Sequence, residues 1–185
     1  MLGAVELLGE VDGYPLSGLS GLAWDPAAQL LYAVSDLGHL VHLRLRFGAN
    51  GGLTAAQPLA VYPLRGPEGR PLPPGSRDAE ALALEGAPGA GAALLLAFEG
   101  APRLIRYDVQ GRWLGELALP PPVADPRRFQ NANRGLEAVV LDPERGLLVA
   151  PEAPLRHGPV GLVPLLAVAG GAIWWYPLLA APVRR

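Results

Sequence analysis

Glu80-Ala-Leu-Ala-Leu84 and Leu94-Leu-Leu-Ala-Phe-Glu99 are the two runs on which the fold of this chain turns. Each is an apolar segment of strand length, and the Gly- and Pro-rich Gly86-Ala-Pro-Gly-Ala-Gly91 between them reads as a turn, so together they predict a β-hairpin. The same pattern stands on either side. Upstream it is Ser20-Gly-Leu-Ala-Trp-Asp-Pro26 followed by Leu30-Leu-Tyr-Ala-Val-Ser-Asp36, and downstream Glu137-Ala-Val-Val-Leu-Asp-Pro143 followed by Leu147-Leu-Val-Ala-Pro-Glu152. The corresponding residues Gly21, Ala81 and Ala138 lie 60 and 57 positions apart, a near-constant interval that marks an internal repeat.

In two copies the turn opens with Asp-Pro, at Asp25-Pro26 and Asp142-Pro143, where Pro pre-sets the backbone for a reversal. Further strands are expected at His39–Phe47, Arg103–Val109 and Trp113–Leu119, with Gln110-Gly111 as a turn between the last two. Each repeat then carries about four strands, the size of a propeller blade. The reading is therefore all-β: a partial β-propeller of about three to four blades, each a four-stranded antiparallel sheet, with 1–185 as a single domain. Arg65–Gly75 and Pro120–Pro126 are read as long inter-strand loops.

Composition agrees. The 24 Gly and 21 Pro cut the 185 residues into segments too short for most helices, while half of the chain is hydrophobic, enough for a core. A net charge of -2 without any basic stripe argues against nucleic acid. The 15 basic residues are all Arg, which excludes a Schiff-base lysine and a lysine-bearing phosphate loop. With no Cys, disulfides, thiolate nucleophiles and zinc–thiolate sites are excluded. Met1–Glu6 lacks the features of a signal peptide and is expected to be an opening strand. Gly158–Val183 is uncharged and precedes Arg184-Arg185, yet Pro164, Gly170-Gly171 and Pro177 divide it into Leu165–Val168 and Ala172–Tyr176, a hairpin rather than a membrane span.

The ends of the repeating hairpins carry the chemistry. An antiparallel hairpin sets the start of its first strand beside the end of its second, so Glu80 is expected near Glu99, Glu137 near Glu152, and Ser20 near Asp36. Opposed like charges repel and call for a counter-charge, either a cation or an arginine. Arg77 and Asp78, Arg103, and Asn133-Arg134 stand close in sequence. Oxygen ligands without His or Cys suit calcium; the alternative is that these carboxylates only solubilise loop ends and blunt strand edges. His39, His42 and His157 are assigned surface roles, Ser17–Gly21 and Gly48–Gly52 are turns, and Trp174-Trp175-Tyr176 is packing.

Three segments, Gly18-Leu-Ser-Gly-Leu-Ala-Trp-Asp-Pro26 with Val34-Ser-Asp36, Arg77-Asp-Ala-Glu-Ala-Leu82, and Asn133-Arg-Gly-Leu-Glu-Ala-Val139, resemble the phytase-like propeller family with its esterase-like activity. The resemblance runs from about Val5 to Pro154, and Asn-Arg-Gly-x-Glu is its most specific part. It implies a metal-dependent hydrolase of a phosphate ester or related ester, with calcium held among Asp36, Asp78, Glu80, Glu99, Glu137 and Glu152. It further implies catalytic roles for Glu80, Glu137 and Arg134, and substrate binding by Arg103, Arg134 and Asn133, with metal-activated water as nucleophile. Other readings are a non-catalytic propeller binding a ligand or protein at its channel mouth, and a lactonase-type sugar-acid propeller. The resembled family is usually exported and longer. About three blades are fewer than the roughly 4–8 of a closed ring, so the expectation is either a truncated product or a ring completed by a second copy, a homodimer.

Overall fold

The computed structural model describes residues 3–86 and 91–178. Three four-stranded antiparallel sheets follow one another along the chain, each with its strands in sequence order. The first holds β3 (Leu19–Asp25), β4 (Leu30–Ser35), β5 (His39–Phe47) and β6 (Leu53–Pro63). The second holds β7 (Ala79–Glu85), β8 (Ala93–Phe98), β9 (Arg103–Asp108) and β10 (Trp113–Leu117). The third holds β11 (Leu136–Asp142), β12 (Gly146–Pro151), β13 (Leu162–Ala167) and β14 (Ile173–Pro177). The leading strands converge: β7 packs against β3 on one side and β11 on the other. This is the arrangement of consecutive propeller blades, here called blades one to three.

Strand β8 explains why the blades stack. All six of its residues are buried, and their side chains alternate between two faces as strand geometry requires. Leu94, Leu96 and Phe98 join Ile105 and Tyr107 against Ala23, Tyr32, Val34 and Leu40 of blade one. Leu95 and Ala97 join Leu104 against Leu136, Val139, Val149 and Leu166 of blade three. At Gly21 β3 comes so near β7 that an added Cβ would lie 2.7 Å from the Leu82 amide nitrogen. The outer face of blade one is covered by the chain's own start: β1 (Glu10–Val11) and β2 (Tyr14–Pro15) form a two-stranded sheet, and Leu7, Val11, Tyr14 and Leu16 pack on Ala33, Val41, Leu43 and Val61.

The Asp-Pro turns are fixed by their aspartates. Asp25 Oδ1 accepts from the amides of Ala27 and Ala28 at 2.9 and 3.0 Å, and Asp142 Oδ1 accepts from Glu144 and Arg145 at 2.9 and 2.7 Å. The turn of the middle copy, 87–90, lies outside the described residues.

Several expectations require correction. The opening strand at Met1–Glu6 is not formed among the described residues; residues 3–8 have no regular structure, because pairing begins only where Asp12-Gly13 allow the tight reversal between β1 and β2. The Pro120–Pro126 loop contains a short helix, α1 (Pro121–Ala124), and runs into a 3-10 turn at Pro126–Arg128, each with Pro in its first turn, where no amide donor is needed. His39 and His42 are not surface residues: both are buried. His39 Nε2 bonds Pro15 O at 2.9 Å and ties β2 to β5, while His42 Nε2 bonds Val109 O at 2.7 Å and ties blade one to blade two. The rings of Tyr32 and Tyr62 flank His42, with centroids at 4.8 and 5.0 Å. Burial lowers the pKa of both histidines. The stretch from Leu162 to Pro177 is the hairpin β13–β14, and no described helix is long and apolar enough to cross a membrane.

Between blades one and two the Tyr107 hydroxyl is buried without a hydrogen-bond partner among the described residues. A buried, unpaired hydroxyl costs its desolvation and returns nothing. Tyr107→Phe is therefore expected to leave urea-unfolding stability unchanged or to raise it by up to about 1 kcal/mol; a loss larger than that would show that the hydroxyl has a partner.

Candidate functional site

Each blade begins with the same backbone irregularity. The pairing of β3 with β4 slips between Leu19 and Gly21, that of β7 with β8 between Ala79 and Ala81, and that of β11 with β12 between Leu136 and Ala138. The extra residues are Ser20, Glu80 and Glu137. A bulged residue has no opposite number on the partner strand, and its side chain is turned away from the regular alternation. The residues that follow the second strands are equivalent as well. The amides of Asp36, Glu99 and Glu152 donate to the carbonyls of Gly18, Asp78 and Gly135 at 2.9, 2.9 and 3.1 Å. The bulge thus brings Glu80 and Glu137 toward the acidic residues at the ends of β8 and β12.

Two groups of carboxylates result. Asp78, Glu80 and Glu99 offer oxygens within 4.8 Å of one another, and so do Glu99, Glu137 and Glu152. Glu99 belongs to both and is the most deeply set, only 6% exposed. Its Oε1 accepts from the Gly135 amide at 2.7 Å, which joins the end of β8 to the loop that enters blade three. Gly135 is the glycine of Asn-Arg-Gly-x-Glu, and its role is steric: a Cβ there would lie 2.9 Å from Glu99 Cα.

Electrostatics follow from this crowding. The Glu137 carboxyl is pushed up to about 7, first by burial, then by a side-chain hydrogen bond with Glu99 and by the charges of Glu80, Glu99 and Glu152. Burial also raises Glu80; Asp78 and Glu99 add to the shift, while a hydrogen bond with Ser20 opposes it. Without a cation, a proton between Glu137 and Glu99 relieves the repulsion.

The remaining expected residues are placed unequally. Arg134 Nε lies 4.0 Å from Glu152 Oε2, and its guanidinium also reaches Gln130 Oε1 at 3.4 Å, so this arginine sits at the rim of the second group. Asn133 is exposed on the same loop, its amide held by Asn131 Oδ1 at 2.9 Å. Arg103 is turned elsewhere: it donates to Ala101 O and Ser76 O at 3.2 and 2.9 Å and lies over the Phe98 ring at 4.6 Å. Asp36 belongs to neither carboxylate group among the described residues, and faces Arg77 and Asp78 across a cleft that also includes Gly100. Sequence reasoning missed the bulges and the part played by Gly135; three unpaired residues before equivalent Gly/Ala positions were the available signal.

The sequence pattern of the family described as "Phytase-like: Esterase-like activity of phytase" matches residues 14–178. The chain belongs to this phytase-like family. No curated protein matches it. Among solved structures it is similar to the Pan2 WD40 domain of Neurospora crassa, at 15% identity and a TM-score of 0.39, covering 86% of this chain and 49% of that one. The phytase-like chain thus spans about half the length of that WD40 domain. Within the matched span, the Asn133-Arg-Gly-Leu-Glu137 segment holds the Gly135 amide that meets Glu99.

Two measurements test this geometry. Gly135→Ala forces Cβ against the Glu99 backbone, so a loss of about 1–3 kcal/mol in unfolding free energy is expected; an unchanged midpoint would mean that the two segments are farther apart. Glu137 is raised above its unfolded value, so the folded state holds the extra proton between the two pKa values. Its contribution to stability is present below pH 4.5 and is lost as pH rises through about 7. In chelator-treated protein Glu137→Gln should therefore gain stability relative to the parent as pH goes from 5 to 8. A difference that does not vary over that range would remove the proton from Glu137.

Proposed function

We propose that this phytase-like protein is a calcium-dependent hydrolase of a small phosphate ester or related ester, acting at the carboxylates gathered around Glu99. One observation carries the reading: two three-carboxylate groups share a buried Glu99, with Arg134 at the rim of the second. So many acidic oxygens at this spacing repel unless a cation or protons stand between them, and an all-oxygen donor set suits calcium. Asp78, Glu80 and Glu99 would form one holding set and Glu99, Glu137 and Glu152 the other, with Asp36 available across the neighbouring cleft. When bound, the ion supplies positive charge that acidifies water and offsets charge developing on a phosphate or ester oxygen.

The chain's own residues would divide the remaining work. Glu137, whose carboxyl titrates near neutrality, is suited to take a proton from water in its ionised form. Glu80 would hold the same water from the adjoining bulge. Arg134, already at hydrogen-bonding distance from a neutral partner, Gln130, would release it to take a phosphate oxygen, with Asn133 beside it. Arg103 would act on substrate only by giving up its carbonyl partners, Ala101 and Ser76.

Melting in excess calcium and in chelator tests the cation. At about 100 times the dissociation constant, bound calcium should add about 2.7 kcal/mol of stability, and Glu99→Gln should abolish the difference. Identical melting in calcium and chelator would sink the metal. Turnover of a chromogenic phosphate monoester and of a lactone, each with and without calcium, tests the chemistry. Calcium-dependent release of phosphate, at least tenfold lower in Glu137→Gln, is expected. Calcium binding without turnover of either compound would leave a ligand-binding propeller, and lactone opening alone would leave a lactonase.

A further inference from the structure

The strand ends that form the carboxylate groups also align the residues before them. The carbonyls of Gly18, Asp78 and Gly135 accept from the amides of Asp36, Glu99 and Glu152, and shortly after each carbonyl comes the bulged residue, Ser20, Glu80 or Glu137. Immediately before those carbonyls stand Ser17, Arg77 and Arg134. Arg77 therefore holds in blade two the backbone position that Arg134 holds in blade three, where the latter sits at the rim of the second carboxylate group.

The surroundings of Arg77 fit it for a ligand. Its half-buried stem lies on Gly38, where an added Cβ would be 2.7 Å from Arg77 Cγ, and its Nε donates to Leu72 O at 2.8 Å. The side chain is held at two points, yet no ion pair or hydrogen bond engages its terminal amino groups among the described residues. It borders a cleft of about 410 Å³ together with Asp36, Asp78 and Gly100. Asp78 belongs to the first carboxylate group and Gly100 follows Glu99 in the chain, so the cleft adjoins that group. Arg77 also borders a second cleft, beside Tyr14 and His39, but no carboxylate lines it. Charge decides when an anion can enter the first cleft. Asp36, Asp78, Glu80 and Glu99 outnumber one guanidinium, and their combined field repels an anion. A divalent cation among Asp78, Glu80 and Glu99 reverses that balance, and a phosphoryl group can then share its oxygens between the cation and the planar fork of an arginine.

We infer that Arg77 binds the phosphoryl oxygens of the substrate at the first carboxylate group, and does so only when a cation is already held there. This role rests on the hydrolase reading and deepens it. Substrate binding was expected of Arg103, but that guanidinium is engaged by Ala101, Ser76 and the Phe98 ring, and Arg77 takes its place.

Calorimetric titration of the full chain with phenylphosphonate, a phosphate-monoester analogue that cannot be hydrolysed, tests the assignment. Binding is expected in calcium and not in chelator. Arg77→Gln should weaken it by about tenfold or more while keeping the parent's rise in melting temperature with calcium. Arg77→Lys keeps the stem and the charge but loses the fork, and should bind more weakly than the parent and more tightly than Arg77→Gln; it also serves should Arg77→Gln fail to fold. Arg70→Gln, which removes an exposed charge from the same loop, should bind like the parent. Equal binding by the parent and both Arg77 variants, binding by the parent that is the same in calcium and chelator, or an equal loss in Arg70→Gln would each overturn the role of Arg77 and leave the cation standing. An Arg77→Lys variant that no longer responds to calcium would overturn it too, by making the residue a support for the cation site. A parent that melts alike in calcium and chelator would sink the hydrolase reading itself, and this role with it.

Discussion

Strand β8 has no solvent face. Its side chains alternate between two interfaces, and that double burial is the constraint on which everything else rests. A polar residue at Leu94, Leu95, Leu96 or Ala97 would be set against apolar neighbours without a partner, at a cost of a few kcal/mol. The sheets on either side are held at the separation these side chains dictate, and so are the ends of the strands that lead into them. Carboxylates from blade two and blade three meet at that end because apolar packing has already fixed the blades.

Glu99 links the two levels of organisation. As a buried carboxylate it accepts from the Gly135 amide, and its side chain also hydrogen-bonds with Glu137. Its own backbone amide donates to the carbonyl of Asp78, the residue just before β7. A single residue thus ties the end of β8 to the entry of β7 and to the loop before β11. Chemistry proposed for this place would be performed by groups whose positions are set from three directions.

Much of this was legible in the sequence because repetition multiplies a weak signal. A single pair of apolar runs is ambiguous; three pairs at nearly equal spacing, two with Asp-Pro turns, specify hairpins and their order. That Glu80 would lie near Glu99, and Glu137 near Glu152, was legible from antiparallel geometry, whereas the bulges that turn these side chains together were not. What could not be read were features that depend on a neighbour far away in the chain. His39 and His42 are polar by type, and only the carbonyls of Pro15 and Val109 make their burial possible. The cover that Leu7, Val11, Tyr14 and Leu16 provide for blade one comes from a segment with little regular structure, for which periodicity offers no signal. Arg103 lies next in sequence to the acidic cluster but is drawn away by Phe98 and two carbonyls. Helix α1 is a single turn, too short to leave a periodic trace.

The bulges at Ser20, Glu80 and Glu137 separate two things that a functional site usually combines. All three have the same extra residue in the same place, yet one is a neutral hydroxyl and two are acids, so the backbone distortion does not depend on the group it displays. A lineage that copies such a unit inherits a ready-made mount and can exchange what is fitted to it without disturbing the sheet below. Blade one shows the mount in an uncharged form, and evolutionary drift between binding, catalysis and plain scaffolding would then require single substitutions rather than a new architecture.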